Sequence, residues 1–262
     1  PSRSPVWDTA ITMIALAESG LDRAHPALVQ ACQWTVSKEI KTRGDWAYTN
    51  PSGPTGGWHF QFNNAFYPDV DDTAMVLLAL RHVQLEEPNA QIREKSFLRG
   101  LNWLLSMQSV TGGWAAFDKE NTKAILDKIP FADHNAMIDP PTSDVTARVL
   151  ELLGYIGYDA SYPSCAKAIR FLKTEQEDDG SWYGRWGVNY IYGTWQALRG
   201  LAAIGSDMTA PCARKGAAWL KSIQLPDGSW GETCATYHDA SLKGKGPSTP
   251  AQTAWAIMGL MA

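Results

Sequence analysis

The chain has 262 residues, 45% apolar and 19% charged, enough for one large domain with a sizeable core. A net charge of −4 and a pI of about 5.7 give no basic field for nucleic acid. No run approaches the ~18 consecutive apolar residues of a membrane span, no secretory signal opens the chain, and Cys32, Cys165, Cys212 and Cys234 contain no C-x-x-C pair, which reads as buried reduced thiols.

In chain order, Trp7-Asp8-Thr9-Ala10 opens an apolar run ending at Gly20, and an amphipathic helix follows near 26–39. A Gly- and Asn-rich stretch at about 41–68 leads to Asp69-Val70-Asp71-Asp72-Thr73-Ala74 and a second apolar run to about Val83. A helix near 92–107 and a long loop at about 111–142 precede the Asp144-Val145-Thr146-Ala147 run, which ends at Gly154. Helices near 165–176 and 211–224 flank the Tyr192-Gly193-Thr194-Trp195 run to Gly205. A third long loop, at about 228–250, leads into Ala251-Gln252-Thr253-Ala254 and the last apolar run, to Ala262. Runs apolar nearly all round are expected as inner helices and the amphipathic segments as outer ones.

A second pattern overlies the first. Arg99-Gly100, Trp103-Leu104, Gln108 and Gly112-Gly113-Trp114 recur as Lys167-Ala168, Phe171-Leu172, Gln176 and Gly180-Ser181-Trp182. They recur again as Lys215-Gly216, Trp219-Leu220, Gln224 and Gly228-Ser229-Trp230. A degenerate copy runs from Ala31 through Trp34 and Glu39 to Gly44-Asp45-Trp46. Each copy reads as a helix ending in a Gly turn, with Gln and Trp tying the helix end to the turn. Trp114, Trp182 and Trp230 are therefore expected as turn locks. Alternating inner and outer helices imply an all-α chain, an α/α toroid forming an incomplete (α/α)6 barrel within one domain, 1–262, cut at both ends. The three long loops all run from an outer to an inner helix, so they gather at one end, where loops of that length carry function.

The chemistry starts at Asp69, Asp71 and Asp72. Carboxylates this close repel when all are ionised, so one is expected to keep its proton well above the ordinary carboxylate range. A retained, dry proton suits protonation of a carbon–carbon double bond. The other reading of the same residues is an acidic helix N-terminus favoured by the helix dipole.

These residues resemble the triterpene cyclases, and the likeness runs over essentially the whole chain. The Gln…Gly-x-Trp turns are similar to that family's QW motifs, and Asp69–Ala74 resembles the DxDD acid motif of class II terpene cyclases in its squalene–hopene cyclase form. Gly184–Thr194, Ser4–Thr9 and Ser248–Trp255 also resemble the squalene-cyclase pattern. The resemblance implies an isomerase that starts a cationic polycyclisation of squalene by acid, giving hopene- or hopanol-type pentacyclic products in hopanoid biosynthesis. It implies Asp71 as the proton donor and Asp69 and Asp72 as its flanking partners. Asp144 matches a polar position near the acid, and Arg148 the basic position that polarises it, where the family often has His. An arginine stays charged and is no titrating relay. Trp7, Phe60, Phe117, Trp186 and Tyr192 match cavity-lining aromatics whose faces stabilise passing carbocations, Phe117 standing where Tyr is frequent. Phe131 and Ala132 match the constriction that admits substrate. The partners implied are a linear polyprenoid such as squalene and the cytoplasmic face of a membrane, held as a monotopic protein, with a homodimer possible and no nucleic acid.

Neither a cofactor nor a metal is expected. Asp-x-Asp-Asp at a helix start is not the Asp-Asp-x-x-Asp spacing that shares Mg2+ between carboxylates on one helix face. His25, His59, His82, His134 and His238 show no ligand spacing. A different DxDD cyclase and an inactive structural fragment are the alternatives. Prenyltransferase β-subunits and thioester-containing complement domains share the toroid, but the zinc set of the one and the Cys–Gln thioester of the other are not evident.

Overall fold

In a computed structural model, residues 4–61, 64, 66–122 and 138–262 are described. Among them lie nine α-helices and short 3-10 turns, with no strand beyond isolated bridges. They are α1 (Pro5–Glu18), α2 (Pro26–Ser37), α3 (Val70–Arg81), α4 (Asn89–Ser106), α5 (Ser143–Tyr155), α6 (Pro163–Thr174), α7 (Tyr190–Ala203), α8 (Pro211–Ser222) and α9 (Pro250–Met261). The residues fall into two compact units. The first holds α1–α4 and the segment 114–140; the second holds 110–113 and α5–α9.

In the first unit α3 is the central helix. Val70 and every residue from Asp72 to Leu80 are buried, as an apolar run flanked by α1, α2 and α4 must be. The outer α4 buries a single face, through Phe97, Gly100, Leu101 and Leu104. In the second unit α5 and α7 are buried nearly all round, whereas α6 and α8 each bury one stripe. The α5–α7 crossing is close because it runs over small residues. A Cβ added to Gly200 would fall 2.4 Å from the Ala147 carbonyl oxygen, and one added to Gly154 would fall 2.1 Å from that of Ala203. α1 and α9, expected to be inner helices, bury one face only: Val6, Ala10 and Met13 in α1, and Gln252, Ala256 and Gly259 in α9. Within their units α1 packs mainly on α3, and α9 on α7 and α8, which leaves Ile11 at 38% and Ile257 at 43% exposure.

The turn locks have a definite geometry. The indole N–H groups of Trp114, Trp182 and Trp230 donate to the carbonyls of Leu104, Leu172 and Leu220 at 2.8, 2.7 and 2.8 Å, ten residues back. These are last-turn carbonyls, and that of Leu104 also accepts Met107 N at 3.1 Å. Gln176 Nε2 donates to Gly180 O at 2.9 Å, and Gln224 Nε2 to Gly228 O at 2.8 Å. The small residue after the basic one leaves room for an indole: a Cβ on Gly216 would lie 2.7 Å from the Trp182 ring. The first lock is Trp58, not Trp46. Trp58 Nε1 donates to Thr35 O at 2.8 Å, its ring lies over Gly100, and its backbone N–H donates to Thr73 Oγ1 at 2.9 Å. Trp46 instead forms part of a 3-10 turn and packs edge-on against Trp103. Glu39, at the Gln place, makes two 2.6 Å bonds with Arg99.

Candidate active site

In the first unit the acid motif is the start of α3. Asp69 is the N-cap, in extended conformation, and its Oδ1 accepts from the backbone N–H groups of Asp71 at 2.7 Å and Asp72 at 3.0 Å. The segment is held on both sides by backbone bonds: Asp69 N donates to Trp58 O at 2.8 Å, and Val70 N to Ala116 O at 2.7 Å.

Behind it stands a carboxylate with no recognisable sequence motif. Asp139 is 6% exposed, and its oxygens accept from the N–H groups of Ala116, Phe117 and Asp118. Burial lifts Asp139 above the usual carboxylate range despite these donors. Asp69 is raised well above that range, by burial first and then by the charge of Asp71, with Asp139 adding to it; its two helix N–H donors pull the other way and lose. Asp72 is also raised well above it, by burial and then by Asp69 and Asp71. Asp72 Oδ1 is buried and accepts no hydrogen bond from any described residue, so the protonated form suits it. Asp71 is the partly exposed member, set between two buried carboxyl groups whose pKa values burial raises.

Trp7, Phe60 and Phe117 are partly exposed; Phe60 and Phe117 belong to segments bonded to this helix start, and Trp7 lies on α1, which packs on α3. Trp7 is in the first turn of α1, its N–H donating to the Ser4 cap at 3.1 Å. Phe60 follows Trp58, and the Phe117 backbone is held by Asp139. Phe131 and Ala132 lie outside the described residues.

In the second unit Asp144 and Arg148 lie on α5. Asp144, 2% exposed, is saturated by local donors: Oδ1 accepts from Thr142 Oγ1 and from Val145 N at 3.0 Å, and Oδ2 from Trp186 N at 2.9 Å. Its role in this unit is to anchor the loop carrying Trp186, whose ring is 37% exposed with the Arg185 guanidinium 5.7 Å away.

Arg148 is buried. Nη2 donates to the Tyr192 hydroxyl at 3.3 Å, Nη1 lies 3.6 Å from Glu151 Oε2, and the guanidinium sits 5.7 Å from the Trp195 ring. The Gln196 amide, with its oxygen turned inward, accepts from both Nη atoms. Tyr192 is buried edge-on to Trp195 and Trp255, at 5.5 and 5.0 Å, and those two indoles stack at 5.7 Å. Gly187 admits the Tyr192 ring, since a Cβ there would fall 2.5 Å from it. Glu232, buried behind the same loop, accepts from Asn189 N at 3.1 Å, Ile191 N at 2.9 Å and Gly244 N at 3.3 Å, satisfying the start of α7 from outside. Glu151, Gln196, Glu232 and Asp139 had no signal in the motif pattern, while Trp195 and Trp255 stand in quoted motifs without an assigned role.

No group of three or more His, Cys, Asp or Glu among the described residues is placed to hold a metal ion, and no described helix is long and apolar enough to cross a membrane.

Residues 3–262 match the family described as "Squalene-hopene cyclase C-terminal domain". The chain belongs to that family. It is 52% identical over 261 residues to the squalene–hopene cyclase of Alicyclobacillus acidocaldarius, covering 100% of this chain and 41% of that protein. It is 50% identical over 267 residues to that of Schizosaccharomyces japonicus, covering 99% of this chain and 40% of the relative. A dammaradiene synthase of Dryopteris crassirhizoma is 45% identical over 280 residues, with shares of 100% and 41%. The chain thus spans about two fifths of the length of these relatives. Among solved structures, the type II terpene cyclase MstE from Scytonema superposes with a TM-score of 0.66 at 20% identity, covering 98% of this chain and 63% of that one. The ent-copalyl diphosphate synthase of Streptomyces platensis gives 0.53 at 23% identity, with shares of 98% and 43%. At such identities the likeness shows the fold, the all-helical α/α fold of terpene cyclases expected for this family.

Proposed function

We propose that this chain supplies the acid and much of the aromatic lining for an acid-initiated cyclisation of squalene to hopene- or hopanol-type pentacycles. The single observation that carries this reading is the partly exposed Asp71 between the buried carboxyl groups of Asp69 and Asp72 at one helix start. Membership of the squalene–hopene cyclase family supports the substrate.

In the proposed step the Asp71 carboxyl O–H gives its proton to a terminal alkene carbon. The π electrons form that C–H bond, leaving a tertiary carbocation and the Asp71 carboxylate. Each further ring closes as the next double bond donates its electron pair to the cation. The last cation loses a proton to give an alkene, or takes up water and then loses a proton to give an alcohol. Asp69 or Asp72, its pKa raised by burial, passes its proton to the Asp71 carboxylate and regains one from solvent, balancing the proton lost by the last cation. In the first unit Trp7, Phe60 and Phe117 offer ring faces to cationic intermediates, and in the second Trp186 and Tyr192 do, each worth ~0.5–2 kcal/mol and more when dry. Asp144 and Arg148 hold Trp186 and Tyr192 in place. A lipid-dissolved substrate fits a protein held on a membrane surface.

The test is incubation of the protein with squalene in detergent and EDTA, with mass spectrometry of the products. Pentacyclic product lost in Asp71→Asn supports the reading; product undiminished in Asp71→Asn overturns it.

A further inference from the structure

Trp186 stands in the irregular loop before α7, and its main chain is gripped from two distant parts of the sequence. On one side its N–H donates to Asp144 Oδ2 at 2.9 Å. On the other, the Tyr237 hydroxyl lies 2.8 Å from Gly187 O and 3.2 Å from Arg185 O, the two carbonyls that flank Trp186. A phenol carries one O–H donor, so both carbonyls share it, the nearer taking the larger part. Gly187 O takes no other donor among the described residues, and Gly187 is only half-buried. Without the phenol, that carbonyl gains by turning out to water, because a carbonyl left dry and unpaired is costly. Trp186 is the adjoining residue and turns with it.

Tyr237 is itself well fixed. It ends the 3-10 turn Cys234–Tyr237, where Thr236 Oγ1 donates to Thr233 O at 2.8 Å and accepts from Asn189 Nδ2 at 3.3 Å. Its ring meets that of Tyr183 edge-on at 6.1 Å. Burial first, and then Tyr183 and the charge of Asp144, hold the phenol well above its ordinary pKa, so it stays a donor at neutral pH. Trp186 is 37% exposed, so its direction depends on its main chain more than that of a fully buried indole such as Trp182. A ring attracts a cation that lies over its face, so that direction decides what Trp186 contributes.

We propose that Tyr237 is a positioning residue: its hydroxyl fixes the peptide groups on both sides of Trp186 and so aims that indole at the cationic intermediates. The inference rests on the cyclase reading for its catalytic consequence; its effect on the indole stands without that reading. Tyr237→Phe removes one oxygen and keeps the ring.

Two measurements test it. In protein grown with 5-fluorotryptophan, the 19F resonance of Trp186 is identified among the twelve tryptophans by its loss in Trp186→Phe. Tyr237→Phe is expected to move that resonance and to enlarge its difference between H2O and D2O, the mark of a ring turned toward solvent. With squalene, Tyr237→Phe is expected to raise the ratio of incompletely cyclised to pentacyclic product at least threefold, because a cation left without its ring face is quenched early. Gly216→Ala is the control for a general loss of packing: it sets a Cβ 2.7 Å from the Trp182 ring and touches neither the Tyr237 hydroxyl nor the carbonyls it serves. A weakened fold lowers the total yield, whereas the product ratio reports the cavity, so Gly216→Ala is expected to leave the ratio in place. An unmoved Trp186 resonance, an unchanged product ratio in Tyr237→Phe, or an equal rise in Gly216→Ala overturns the inference. A moved resonance in a protein whose parent makes no cyclic product sustains the positioning of Trp186 and counts against the cyclase reading alone.

Discussion

The carbonyl oxygen of Trp58 accepts the backbone N–H of Asp69 at 2.8 Å, so the first turn lock and the acid motif are one structure. Trp58 is fully buried, bonds Thr35 O through its indole, and takes Thr73 Oγ1 on its own N–H. Trp58→Phe keeps most of the ring volume but removes the indole bond to Thr35 O, which retains the Lys38 N–H at 3.0 Å, and is expected to destabilise by about 0.5–1.5 kcal/mol. Trp58→Ala is expected to lose about 3–5 kcal/mol. Denaturant unfolding measures both; a Trp58→Phe protein with unchanged midpoint and slope would refute the lock.

Gly100 and Gly216 occupy equivalent places in the two units, each under an indole. A Cβ at either would come within 2.7 Å of the ring of Trp58 or Trp182. Alanine normally stabilises a helix interior by roughly 0.5–1 kcal/mol over glycine. Here overpacking against a fixed indole outweighs that gain, and Gly100→Ala and Gly216→Ala are each expected to lower stability by about 1–3 kcal/mol. A rise in Tm for either would show that the indole can move aside.

Much of this was readable from spacing. The Trp114, Trp182 and Trp230 locks follow from a constant ten-residue step between helix end and indole, which is a local relation. Trp58 escaped because it stands far beyond the end of α2, past a 3-10 turn that contains the decoy Trp46. The acid motif was legible because its carboxylates are adjacent, and the structure adds which two are buried. Asp139 was not legible, because its partners are backbone N–H groups 21 to 23 residues away, which carry no side-chain pattern. Glu151 carried no signal, because a charge at i,i+3 from an arginine is common on solvated helix faces and only the burial of α5 sets this pair apart. The one-sided burial of α1 and α9 was illegible too, since an apolar run reads the same with one packed face or several.

Protonation of the acid cluster sets a direction for stability against pH. Asp69 and Asp72 have folded-state pKa values raised above their unfolded ones, mainly by burial. The contribution of each is therefore fully present below the unfolded value near ~3.9, and is lost as pH rises through the raised folded value. Asp72→Asn keeps a neutral group of the same shape and removes its share of that loss. Its stability relative to the parent is expected to be greater at pH 7 than at pH 4. Unfolding midpoints for both proteins at the two pH values measure this, and a difference independent of pH would show that Asp72 does not hold its proton in the folded state.

Asp144 gives the sharpest local prediction. Its carboxylate takes three donors, and one of them, Trp186 N–H, belongs to the loop that carries an exposed indole. Asp144→Ala leaves the Thr142 hydroxyl and two backbone N–H groups without their acceptor. The expected loss is about 2 kcal/mol or more. The distribution of the effect matters more than its size. The 184–189 loop remains held at its far end by Glu232, and by Tyr237, whose hydroxyl donates to Gly187 O at 2.8 Å. Release of the Asp144 bond should therefore open the loop locally. Amide exchange at Trp186 is expected to rise at least tenfold in Asp144→Ala, with exchange in α8, which has no bond to Asp144, unchanged. Uniform acceleration across α8 and the loop would mean that Asp144 supports the whole unit. No acceleration at Trp186 would mean that the Glu232 and Tyr237 bonds suffice to hold the indole.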